Sequence, residues 1–195
     1  MKTLFSIIFS LLFFPALTAQ NDQSLKVKKI LKNLVDWQIV NYNNLEFRTQ
    51  NKRLNIGKYH SLDWSNRALY VGMPEWEAIA NINKYYEWLK GIREAHDWKL
   101  HMREGNYRRI YQADYHTVGQ TYFHLYRKYK DEEMIKPTIN QFDFILYHPS
   151  KSKLDWQSIF HQDRLNWCDA LFMLPPVWVM ASNYTKHIKY TEFMV

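Results

Sequence analysis

Three short stretches of this sequence open in the same way and recur at nearly constant spacing. Asp63-Trp64-Ser65-Asn66 runs into Ala68-Leu69-Tyr70-Val71-Gly72-Met73, Ala113-Asp114-Tyr115-His116 into Val118-Gly119-Gln120-Thr121-Tyr122, and Trp167-Cys168-Asp169 into Ala170-Leu171-Phe172-Met173. Asp114 follows Asp63 by 51 residues, and Asp169 follows Asp114 by 55. A repeat of that length holds two helices and their connections, and each helix pair must bury its apolar side on its neighbours. It is too long for a tetratricopeptide or ankyrin unit. Stacked pairs with parallel inner helices bring the three carboxylates to one rim, where the chemistry is expected.

The segments around these starts read as helices. Leu25, Val27, Ile30, Leu31, Leu34, Val35, Ile39 and Val40 recur largely at steps of three and four, the pattern of an amphipathic helix. Further helices are predicted over 67–80, 83–95, 117–129 and 136–146, the last with Pro137 in its first turn. A sixth, 169–182, is nearly all apolar and is interrupted by Pro175-Pro176, which should kink it or make it restart. No stretch shows sustained period-two alternation with hairpin turn signals, so the fold class is read as all-α.

The chain opens with Lys2, an apolar run from Leu4 to Phe14 broken by Ser6 and Ser10, and Pro15-Ala16-Leu17-Thr18-Ala19. That order is a secretory signal over 1–19, with cleavage near Ala19. The apolar run falls well short of the roughly 20 residues that span a bilayer, so a periplasmic or secreted protein with no stable membrane anchor is expected. An uncleaved anchor is the alternative reading. Residues 20–195 then form a single domain. One cysteine, Cys168, excludes an internal disulfide and reads as a small packing residue. The net charge is +7, but the basic residues form no dense cluster, and nucleic acid is not an expected partner. The one basic run, Arg103 to Arg109, reads as a solvated loop. With 8 Trp, 14 Tyr and 11 Phe, the chain holds more rings than such a core calls for, and some are expected to face a ligand.

An Asp at a helix start is by default a cap. A catalytic acid needs a partly buried carboxyl kept protonated by apolar walls or a second carboxylate. Asp169, between Trp167 and Phe172 in the least polar segment, has that setting in the sequence, and Asp114 is the natural second carboxylate. Trp64 and Trp167 each sit within two residues of a rim Asp, where flat rings suit stacking on a sugar, while Trp76, Trp88 and Trp178 read as core. His116 and Gln120 are spaced for one helical face and suit hydrogen bonds to a ligand, a satisfied structural histidine being the other reading. His101, His116, His124 and His161 lack metal-ligand spacing, so neither metal nor cofactor is expected.

The three blocks, extended through Leu174-Pro175-Pro176-Val177-Trp178, resemble the unsaturated rhamnogalacturonyl hydrolases of glycoside hydrolase family 105, relatives of the unsaturated glucuronyl hydrolases of family 88. Their order and spacing match, over roughly Ser24 to Val195. The resemblance implies a six-hairpin α/α barrel. It also implies hydration of the 4,5-double bond in the unsaturated uronate that a lyase leaves on pectic oligosaccharides. The aspartate matching Asp169 is then the general acid, protonating C4 as water adds to C5, after which the product opens and releases the neighbouring sugar. The one matching Asp114 positions substrate and water, and Trp64, Trp167 and Met173 line the uronate pocket.

The sequence departs from the family pattern in three ways. Arg67 stands where members usually have Gly, and Tyr115 replaces the second Asp of an Asp-Asp-His sequence. At about 50 residues per pair, residues 20–195 supply only about three of the six hairpins, and the family's later Trp-x-Arg-Gly-x-Gly-Trp region is not found. An incomplete barrel exposes apolar helix faces, so self-association or a missing C-terminal half is an expected partner. The alternative reading is an inactive fragment, a glycan-binding or helical scaffold module.

Overall fold

The computed structural model describes residues 23–42, 61–62, 64–80, 82–100, 107–151 and 168–194, so the 1–19 signal reading and the positions of Asp63 and Trp167 lie outside the described residues. The chain divides into two units, Met1–Lys58 and Tyr59–Val195. In the first, helix α1 (23–41) follows the predicted periodicity, with Lys32 and Asp36 paired at 2.6 Å one turn apart. Its Val35 is buried, whereas Ile30 and Val40 stay exposed.

The second unit is built of α2 (Trp64–Ala80), α3 (Lys84–Glu94), α4 (Ala113–His116), α5 (Val118–Tyr129), α6 (Lys136–Tyr147), α7 (Ala170–Met173), α8 (Pro175–Thr185) and α9 (Lys189–Glu192), with 3-10 turns at Tyr107–Tyr111 and Glu132–Met134. Among the described residues there is no strand, and no helix is long and apolar enough to cross a membrane. The fold is all-α, as the periodicity predicts. Pro175-Pro176 does restart the last apolar segment: Leu174 separates α7 from α8, and the prolines fall in the first turn of α8, where their missing N–H costs nothing. Helix α6 uses Pro137 in the same way.

Packing follows the repeat. Helix α2 lies against α3 and α5, and α5 in turn against α8, so the first long helix of each repeat contacts the first of the next. Gly119 makes the α5 crossing close: a Cβ there would stand 2.7 Å from Val177 Cγ2 on α8 and 3.2 Å from Thr138 Cγ2 on α6. The core beside it is aromatic. Trp178 on α8 is fully buried between two stacked rings, Phe142 on α6 at 4.1 Å and Phe193 just after α9 at 4.3 Å. Trp76 and Trp178 are core residues as read from the sequence, and Trp88 sits at the edge with its ring 5.9 Å from Tyr70. These rings fix α5, α6 and α8, from which the short helices α4 and α7 are hung.

Candidate active site

Two carboxylates converge where α4 packs against α7. Asp114 lies in the first turn of α4 and Asp169 is the residue from which α7 starts. The 55-residue interval between them is thus one structural repeat, closed by contact of the two short helices. Helix α7 is tied to α5 by Gln120, whose side-chain amide donates to the carbonyls of Phe172 at 2.9 Å and Met173 at 3.1 Å. This buried bond satisfies carbonyl groups that a four-residue helix leaves open.

The surroundings of the two carboxylates differ. Asp114 is partly buried, and its Oδ2 accepts from the Gln112 amide at 3.3 Å. Burial pushes its carboxyl above the ordinary carboxylate range, the Arg67 guanidinium opposes that shift, the Asp169 charge adds to it, and Arg109 opposes it again. Asp169 is exposed and its side chain makes no cap hydrogen bond to α7, so the default capping role is not taken up. The expectation that Asp169 is the carboxyl enclosed by apolar walls is therefore corrected: it is Asp114 that burial perturbs. Cys168 is likewise exposed and not a packing residue, because the chain at 168–169 has not yet entered the core.

The structure also corrects the expectation that His116 and Gln120 offer one face to a ligand. Both are buried, and each is held by partners inside the fold. His116 Nε2–H donates to the Ile110 carbonyl at 2.7 Å and Nδ1 accepts from the Trp178 indole N–H at 3.1 Å. Both nitrogens are engaged. The cavity it borders, with Leu174 and Phe193, is about 30 Å³, room for a water and not for a sugar. Met173 has its side chain buried behind the rim, while Leu171 and Phe172 are exposed beside Asp169. Trp64 begins α2, its side chain outside the described residues. Among the described residues no three His, Cys, Asp or Glu side chains gather as a metal site.

Two residues near Asp114, Arg109 and Gln112, were not singled out by sequence reasoning, and Arg67 was noted only as a departure from the family pattern. Arg109 belongs to the run read as a solvated loop, yet the 3-10 turn brings its charge to bear on Asp114. For Arg67 the signal was its place where members of the resembled family usually have Gly.

The buried histidine has a consequence for stability. Burial pushes His116 down to about 4, whereas the unfolded chain titrates near 6.5. Its contribution is complete above pH 6.5 and is lost as pH falls toward 4, because in that window the unfolded state binds the proton and the folded state does not. The loss is on the order of 3 kcal/mol. Urea unfolding from pH 7 to 4 is expected to show this decline in the parent chain and a flatter profile in His116→Gln. Parallel profiles would contradict the buried neutral imidazole.

The described helices form a frame of hairpins that sets two carboxylates at one rim. The chain belongs to Glycosyl Hydrolase Family 88, whose family model matches residues 30–195. It is 27% identical over 177 residues to an unsaturated 3S-rhamnoglycuronyl hydrolase of Alteromonas sp. (strain LOR), covering 85% of this chain and 41% of the relative. It is 26% identical over 138 residues to a protein of the same name from Formosa agariphila, covering 68% of this chain and 34% of the relative. The chain thus spans about four-tenths or less of the length of these relatives. A solved polysaccharide lyase shares the fold, with a TM-score of 0.54 and 23% identity over 83% of this chain and 43% of that one. The family shown is 88, the relative of the family 105 group that the three sequence blocks resemble.

Proposed function

We propose that the protein is an exported unsaturated uronyl hydrolase acting on lyase-generated oligosaccharides, and that Asp169 and Asp114 carry the reaction. The observation that supports this best is the meeting of α4 and α7, which brings the two carboxylates together in unlike surroundings, one exposed and one partly buried. Asp169 is the group placed to reach a substrate. As general acid, a role that rests on the family resemblance and not on its exposed setting here, it delivers a proton to C4 of the enol ether while water adds its hydroxyl to C5 and passes its other proton to the carboxylate pair. The resulting hemiketal opens to a ketone at C5, and the hemiacetal left at C1 collapses to an aldehyde, releasing the neighbouring sugar. Asp114 orients water and substrate as an acceptor. This differs from ordinary glycosidases, whose carboxylates act at the anomeric carbon. Trp64 and Trp167 line the uronate pocket in this reading, which rests on the family resemblance, and Met173, which the resemblance also put there, is buried behind the rim.

For the substrate, the names of the two relatives favour an unsaturated uronate linked to rhamnose, and the pectic rhamnogalacturonan end belongs to the same chemical class. The net charge of +7 suits an acidic sugar. The test is direct. Added to an unsaturated rhamnoglycuronyl disaccharide, the chain is expected to remove the ultraviolet absorbance of the double bond and to liberate rhamnose. Folded chain that leaves both unchanged overturns the reading.

A further inference from the structure

Arg67 is 1% exposed, on the second turn of α2, and it faces the rim from inside. Its Nη1 donates to the main-chain carbonyl of Asp114, and its guanidinium lies over the Tyr115 ring, 5.1 Å from the centroid. Both contacts reach α4, 47 and 48 positions along the chain, so one side chain joins the start of one repeat to the start of the next. The carbonyl it holds belongs to the residue whose carboxyl feels the charge of Asp169. The two departures from the family pattern, Arg67 and Tyr115, are thus partners in space.

A buried guanidinium keeps its proton at any working pH, so the charge it brings is permanent. The groups that bear on Asp114 come from every neighbouring element: Arg67 from α2, Arg109 from the 3-10 turn, Asp169 from the start of α7, Gln112 from its own segment. His116, on the same short helix, is buried and already committed to Ile110 and Trp178. Of the two cations Arg67 is the stronger influence, and it is also the one bonded to the backbone that carries the carboxylate.

We propose that Arg67 is the positioning residue of this site: seated on the Tyr115 ring and bonded to the Asp114 carbonyl, it fixes α4 against α2 and holds Asp114 as an ionised acceptor opposite Asp169. The proposal rests on the reading of Asp114 and Asp169 as the reacting pair, but it is tested apart from turnover. Carbon-13 titration of the aspartate carboxyls follows Asp114 in the parent chain, in Arg67→Met and in Arg67→Lys. Removing the charge is expected to raise the Asp114 midpoint by about one pH unit or more, the range for loss of an adjacent opposite charge. Arg67→Lys, which keeps the charge without the fork, is expected to restore most of it. If turnover is present, the acid limb of kcat/KM moves upward by the same amount in Arg67→Met.

An unchanged Asp114 midpoint in folded Arg67→Met overturns the proposal. Should the methionine variant fail to fold, the parent chain still decides: a clamped guanidinium gives resolved, slowly exchanging Nη resonances for Arg67, and a single averaged signal overturns it. A parent chain with no turnover but a shifted midpoint in Arg67→Met refutes the hydrolase reading and leaves the clamp standing.

Discussion

Replacing Asp169 with Asn is expected to leave the helical fold intact and to reduce turnover of the unsaturated uronide by roughly a hundred- to ten-thousand-fold, the contribution of a positioned general acid. Asn keeps the volume and the acceptor oxygen but has no proton to give to carbon. The folding half of the expectation follows from the setting of Asp169, which is exposed and makes no cap bond to α7. Surface changes of that kind stay within about 0.5 kcal/mol. Circular dichroism and urea unfolding check the fold, and decay of the double-bond absorbance checks the rate. Turnover that survives within a few-fold would remove Asp169 from the role of acid. Loss of both fold and turnover would show that its part is structural.

The second large effect concerns Trp178. Trp178→Ala empties the space between Phe142 and Phe193 and takes away the N–H that His116 Nδ1 accepts. The cavity alone costs about 3–5 kcal/mol. The buried imidazole nitrogen left without a donor adds about 1–3 kcal/mol. For a chain of this size that is roughly 10 °C or more of melting temperature. Trp178→Phe separates the two causes, since it retains much of the stack and loses only the donor, and its melting temperature is expected between the two. A melting temperature for Trp178→Ala within 3 °C of the parent would contradict the account of the core. Because His116 also holds the Ile110 carbonyl ahead of α4, the same change is expected to loosen the segment that presents Asp114.

Much of this arrangement was legible before any coordinates. Helix positions followed from apolar spacing, and the break at Pro175-Pro176 followed from the missing N–H of proline. The recurring helix starts also pointed to a shared rim, where Asp114 lies within reach of the Asp169 charge, while Asp63 is outside the described residues. What could not be read was the depth of each residue at that rim. Asp169 has apolar neighbours in sequence, but Leu171 and Phe172 are exposed and Asp169 with them, whereas Asp114 is partly buried where α4 packs on α7. His116 and Gln120 have helical spacing in sequence, but each is buried against a different internal partner. Arg67 was legible only as a departure from the family's usual Gly. Only the packing of α4 beside α2 shows that its charge has a use, since sequence spacing reports periodicity along one element and carries no information about what a second element places opposite it.

The central claim is that this rim serves hydration of a double bond and not direct cleavage at the anomeric carbon. Two disaccharides that differ only in the presence of the 4,5-double bond in the uronate test it most directly, with rhamnose release and double-bond absorbance followed together. The account predicts that the unsaturated disaccharide releases rhamnose in step with loss of absorbance and that its saturated counterpart is untouched. Release of rhamnose from the saturated disaccharide, or release from the unsaturated one with the double bond retained, would contradict it.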